Sequence, residues 1–286
     1  MNVISILNNR KSVRNYLQNE VNMEILNKII MHGSNSYALY SDIDVKFKLI
    51  SDGYQFSKKM RDHAGYFGKV FDAPHYIVAL SENQNGFLEN IGYRMEGLMI
   101  RAHELGVNTC WMELLFDTDK LNRLLDIKEE YKALVFTPLG YEKTALIDKF
   151  IKTETNKEKN RMALNELVSF DKWSNYRKAK TKLESDYLKI LDYARLSPSW
   201  GNKQPWRFLV DGEELVILCK KENVVGRRKK LNYYRIDCGI IMLYLKLLAD
   251  EFGMNGDWKV DSHKDILNKY NIPDDYLYIS SFIYNI

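Results

Sequence analysis

Apolar residues recur along this chain with two distinct periods. Leu88, Ile91, Met95, Leu98, Ala102 and Leu105 fall at helical spacing. Ile25, Leu26, Ile29 and Ile30 do the same over a shorter stretch, and Asn22 just ahead of them can cap it. Short apolar runs at 47–50, 76–80 and 133–136 have the length and composition of strands. The most apolar long segment, 236–252, contains Asp237, Lys246 and Asp250, which argues against a bilayer span of ~20 apolar residues and for a buried helix. Helices and strands interleave, an α+β pattern.

The long helical pattern occurs twice. Asn90, Gly92, Ala102, Glu104 and Gly106 align without a gap on Asp237, Gly239, Ala249, Glu251 and Gly253. Upstream, Ile25, Ile30, Ser34 and Ser36 match Leu188, Tyr193, Ser197 and Ser199, in each case a helix running into a Ser-containing turn. Downstream, residues 131–137 resemble 276–282. Helix, turn and strand repeating in one order at similar internal spacing predict a duplication. The two half-units are expected at 1–170 and 171–286, meeting in the polar, Lys-rich stretch 170–182.

Composition narrows the class. The 286 residues are 45% hydrophobic and 28% charged, values of an ordinary globular protein. The formal charge of +4 comes from both signs spread along the chain, so neither a nucleic-acid nor a membrane partner is called for. Arg227, Arg228, Lys229 and Lys230 form the densest basic block; it reads as a solvated loop, or as a contact for a polyanion or the 2′-phosphate of NADPH. Cys110, Cys219 and Cys238 are odd in number and lack C-x-x-C spacing, which suggests neither disulfides nor a zinc site and fits a reducing cytoplasm. The N-terminus shows no apolar stretch behind a basic one, so no secretion signal is expected.

Two motifs carry candidate chemistry. Arg10, Ser12 and Arg14 alternate where an N-terminal helix gives way to extended chain, so their side chains should share a face. Two guanidinium forks and a hydroxyl suit a phosphate dianion, although a short basic run is also often plain surface. The second motif is Ser197-Pro198-Ser199-Trp200-Gly201-Asn202-Lys203-Gln204-Pro205-Trp206, between a helix and a strand near 208–210. Its Ser and Asn side chains offer donors and acceptors for the edge of a polar heterocycle, and its prolines lower the entropy lost on ordering the loop. A simple helix-to-strand connection is the alternative. Trp111, Trp206, Met95, Met99 and Met112 are expected in the core. Asp117 is the expected cap of a helix.

Taken together, Arg10-Lys11-Ser12-Val13-Arg14 and residues 197–206 resemble the phosphate-binding opening and the S-P-S-x-x-N-x-Q-P-W loop of the FMN-dependent nitroreductases, in particular the fused, single-chain type. Asp72-Ala73-Pro74-His75, Glu104-Leu105-Gly106, Pro138-Leu139-Gly140-Tyr141 and residues 161–167 resemble further landmarks in the same order. The resemblance implies a nitroreductase-like fold built as an internal pseudo-dimer and acting as a monomer. It implies FMN, with its phosphate near Arg10, Lys11, Ser12 and Arg14, joined by Lys159 and Arg161. Lys69 would face the pyrimidine edge, Glu113 would offer a backbone donor at the ring, and Pro198, Ser199 and Asn202 would approach the isoalloxazine. Leu114, beside Glu113, stands where the family has a small residue.

Each motif is present once. The first half reads Gly33-Ser34-Asn35-Ser36-Tyr37 where the loop should be, and the second shows no R-x-S-x-R near 173–180, so one flavin per chain is expected. The implied activity is ping-pong transfer of electrons from NAD(P)H to a nitroaromatic, quinone or similar acceptor, with no side chain needed as nucleophile. The alternatives are a flavin-binding storage or regulatory protein without turnover, and an interaction module that has lost flavin.

Overall fold

The computed structural model describes residues 2–36, 38–61, 64–65, 69–114, 122–123, 125–144, 160–222, 232–259 and 265–285. The chain forms two compact units. One joins Met1–Asn9, which holds helix α1 (Val3–Asn9), to Asn156–Ile286; the other is Arg10–Thr155.

In the unit Arg10–Thr155, helix α2 (Met23–Asn35) starts at Asn22, whose side chain accepts the Glu24 N–H, as the sequence predicts. Strand β1 (Val45–Ile50) follows, burying Val45 and Phe47 while Lys46 faces out. After α3 (Gly53–Met60) come β2 (His75–Glu82), the long helix α4 (Phe87–Glu104), the short β3 (Asn108–Thr109) and β4 (Met112–Glu113), and β5 (Tyr131–Gly140). These strands form one antiparallel sheet in the order β1-β2-β5-β3, with β4 also on β5. Phe56, Tyr76 and Phe136 pack ring to ring at 4.9–5.9 Å in its core. Helix α4 is buried around nearly its whole circumference, including Glu89, Asn90, Arg94 and Glu96. It crosses α2 at Gly33, where a Cβ would stand 2.7 Å from Leu98 Cδ1.

In the other unit, α5 (Leu164–Leu167) leads into β6 (Val168–Phe170), then α6 (Lys182–Ala194), β7 (Trp206–Asp211), β8 (Glu214–Lys220), α7 (Tyr234–Glu251), β9 (Gly256–Lys259), α8 (Ile266–Lys269) and β10 (Tyr276–Tyr284). The sheet order is β6-β7-β8-β10-β9, with β6 parallel to β7 and the remaining pairs antiparallel. Without β6, the path β7-β8-β10-β9 repeats β1-β2-β5-β3, with α7 following β8 as α4 follows β2. The equivalence reaches single side chains. Asn90 Oδ1 on α4 accepts the N–H groups of Leu39 and Tyr40, and Asp237 Oδ1, at the matching position on α7, accepts the N–H of Trp200. In both units the matching helix position ties down the loop that follows α2 or α6.

The compact units do not coincide with 1–170 and 171–286. β6 pairs with β7, and Arg161 bonds within 196–202, so residues 161–170 pack with the second half of the chain. The polar stretch after β6 is also well tethered. Arg177 lies over the Phe170 ring and bonds both Asp171 and Glu184, and this partnership holds the Glu184 carboxyl down to about 2. Among the described residues no helix is long and apolar enough to cross a membrane. Lys159, Asp117 and the run Arg227–Lys230 lie outside the described residues.

Candidate functional site

The basic opening is extended, as its alternation predicts. Val13 N–H donates to Thr109 O (3.0 Å), Leu17 N–H to Tyr141 O (2.8 Å), and Lys143 N–H to Asn15 O (2.9 Å). Yet its cations do not behave alike. Arg10, just beyond the end of α1 and ahead of this ladder, is 5% exposed and points inward. Its Nε lies 3.2 Å from Glu96 Oε1, and its Nη2 lies 3.3 Å from Glu96 Oε2 and 3.8 Å from Met99 Sδ. Glu96 is 0% exposed and also accepts the Trp111 indole N–H at 2.6 Å. Lys11 turns aside to an exposed ion pair with Glu142 at 2.6 Å.

Ser12 and Arg14 remain. The Ser12 hydroxyl meets the Cys110 thiol, whose pKa is pushed up by burial against the opposing effects of Arg14, Ser12 and Arg10. Arg14 is exposed, and its guanidinium reaches only Ser12 O at 3.4 Å; it has no carboxylate partner among the described residues. An open guanidinium beside a hydroxyl on fixed extended backbone can take an oxyanion in two charge-assisted bonds.

Lys69 and Glu113 are brought together through Gly65. Gly65 N–H donates to Glu113 O at 2.8 Å, and a Cβ on Gly65 would lie 2.1 Å from Lys69 O. At φ +89° this position is also one that glycine alone adopts easily. Lys69 is exposed and Glu113 half-buried. Leu114 N–H is committed to Leu134 O at 3.0 Å, so the Glu113 N–H points away from β5.

The second motif leaves α6 and turns through left-handed backbone at Gly201, Asn202 and Gln204 before entering β7. Arg161 braces it. One guanidinium nitrogen donates to Asn202 Oδ1, and the other donates to Leu196 O (3.1 Å) and Ser197 O (3.2 Å). Asn202 Nδ2 returns a bond to Asn160 O at 2.6 Å. Gln204 closes the ring: its N–H donates to Ser199 Oγ (3.0 Å) and its Oε1 accepts the Met162 N–H (2.8 Å). Burial, with Arg195 adding repulsion, lowers the Arg161 pKa. Pro198 and Ser199 are half-buried and Asn202 exposed, so this loop offers a rigid polar face. The Ser197 hydroxyl and Trp206 indole N–H are buried with no partner among the described residues.

The structure thus groups the implied residues as Ser12 with Arg14, Lys69 with Glu113, and Arg161 with Asn202. It draws Arg10 into the interior and Lys11 onto Glu142. Sequence reading misses Glu96 as the partner of Arg10, and Trp111 as the second donor to Glu96. Trp206, Met95, Met99 and Met112 are core residues, as expected, and Trp111 is half-buried.

This fold and these motifs define a nitroreductase-type protein. Residues 2–249 match the family described as "Putative TM nitroreductase", and the chain belongs to that nitroreductase family. A protein of Methanothermobacter thermautotrophicus named "Putative NADH dehydrogenase/NAD(P)H nitroreductase" is 24% identical over 149 residues, 49% of this chain and 78% of the relative. The crystal structure of a nitroreductase, so described as putative, from Thermotoga maritima superposes with a TM-score of 0.57 at 18% identity, covering 100% of this chain and 95% of that one. That likeness establishes the fold over the full chain. An FMN-dependent nitroreductase from Clostridium difficile matches 53% of this chain and 96% of its own at TM-score 0.42 and 23% identity.

Proposed function

We propose that this chain binds one FMN and transfers electrons from NAD(P)H to a nitroaromatic, quinone or similar small acceptor by a ping-pong sequence. The observation that carries the reading is the open Arg14 guanidinium beside Ser12. Arg177, which falls at the matching place when the upstream alignment is extended, is instead locked between Asp171 and Glu184. At the two matched positions, Arg14 is open among the described residues and Arg177 is not, which supports one flavin per chain and an internal pseudo-dimer that acts as a monomer.

Ser12 and Arg14 would hold the phosphate. Lys69 would balance negative charge at the pyrimidine edge, and the Glu113 backbone would face the ring. Pro198, Ser199 and Asn202 would supply further ring contacts. Bound flavin supplies two-electron redox chemistry; the protein's part is binding, orientation and electrostatics. The nicotinamide named in the Methanothermobacter relative supports NAD(P)H as donor. Buried free cysteines suit a reducing cytoplasm.

A second reading, flavin binding without turnover, draws support from Leu114, whose N–H is taken by Leu134 O where the family has a small residue. Anaerobic addition of NADH or NADPH to the FMN-loaded protein separates them. Bleaching of the flavin absorbance, followed by recovery with an acceptor, is expected. Tight FMN with no bleaching by either nucleotide favours the second reading, and failure to take up FMN contradicts both.

A further inference from the structure

The unit Arg10–Thr155 contains a buried carboxylate that flavin binding does not itself require. Glu96 draws three segments onto one side chain: the basic opening through Arg10, its own helix α4, and the stretch between β3 and β4 through Trp111. Burying such a pair costs desolvation that apolar side chains of similar volume avoid, so packing alone gives no reason for it. What a fully buried, doubly bonded carboxylate does supply is a fixed geometry.

The other unit serves as an internal control. The ungapped alignment that sets Asn90 on Asp237 and Gly106 on Gly253 sets Glu96 on Leu243 and Trp111 on Trp258. Extending the upstream alignment sets Arg10 on Trp173. Trp258 packs edge-on to Phe282 at 5.2 Å, and its indole N–H has no partner among the described residues. Both charges of the network are absent from the half that lacks the R-x-S-x-R opening. The helix, the strand and the tryptophan persist without them, which ties the ion pair to the opening and not to the scaffold.

We infer that Glu96 is a positioning residue for phosphate recognition: by clamping Arg10 and Trp111 it sets the backbone of residues 10–14 so that Ser12 and Arg14 meet the anion. This rests on the FMN reading above. Arg10, neutralised by Glu96, acts through geometry and leaves the charge to Arg14.

The test compares FMN with riboflavin, which lacks the phosphate, by fluorescence titration of wild type, Glu96→Gln and Trp111→Phe. Glu96→Gln should weaken FMN by about tenfold or more, the scale of one charge-assisted hydrogen bond, and leave riboflavin within about twofold. Trp111→Phe should show a smaller loss with the same ligand dependence. If Arg10 instead bound phosphate in competition with Glu96, the Gln variant would free it and bind FMN more tightly. Tighter or unchanged FMN binding therefore overturns the inference, as does an equal loss for both ligands. Because Gln leaves Arg10 buried without its counter-charge, the double variant Arg10→Met with Glu96→Leu, a neutral core like that at Leu243, is measured beside it. It should unfold cooperatively and still lose FMN selectively; a folded double variant with wild-type FMN affinity overturns the proposal. Wild-type protein that binds no FMN sinks the flavin reading and this inference with it, whereas wild-type binding with unaffected variants sinks the inference alone.

Discussion

Arg14→Ala is expected to weaken FMN binding by about 10- to 100-fold while the unfolding midpoint stays nearly unchanged. The guanidinium is exposed and, among the described residues, bonds the Ser12 carbonyl, so its removal strands no buried charge. One charge-assisted bond to phosphate contributes about 1.5–3 kcal/mol, which is the scale of the expected loss. Arg14→Lys should fall between, because an ammonium keeps the charge but loses the planar fork. The loss should shrink at high salt, where an exposed charge is screened. Riboflavin binding should not change. Titration of both ligands, with a denaturant melt of the same samples, reads all of this; undiminished FMN binding would show that the phosphate sits elsewhere.

Arg161→Ala is expected to lower stability by about 2–3 kcal/mol and to expose residues 197–205 to limited proteolysis. The family resemblance places Arg161 at the phosphate, but its two terminal nitrogens are bonded to Asn202 Oδ1 and to the carbonyls of Leu196 and Ser197. Without it the Leu196 and Ser197 carbonyls lose a charged donor next to a buried serine, and Asn202 loses one of the two contacts that fix its side chain. Lysine should rescue little, since one ammonium on a flexible stem cannot serve three acceptors in different directions. A purely ligand-binding Arg161 would instead leave the melt untouched and change only FMN affinity, and urea unfolding of the apo protein distinguishes the two.

The parts of the fold legible in the sequence were those with strong local periods. Helix α4 and helix α7 announce themselves because their apolar residues recur over many turns, and β2 and β5 because they are unbroken apolar runs buried on both faces. The motifs were legible because turn chemistry and alternation are local too. What pattern alone does not carry is the partner of a side chain. Glu96 meets Arg10 across 86 residues, and Arg161 meets Asn202 across 41. Arg10 and Arg14 share a register but not a fate, because hydrogen-bonded extension begins only at Val13, after Arg10 has been drawn toward α4. The parallel strand β6 escapes notice for a similar reason: three residues hold no measurable period, and their place is set by β7.

The central claim is that this chain binds a single flavin. It is tested most directly by loading purified protein with excess FMN, removing the unbound fraction and measuring flavin per chain from the visible spectrum. The account predicts one FMN per polypeptide, reduced to a small fraction by either Arg14→Ala or Asn202→Ala. Two per chain, or none, would contradict it.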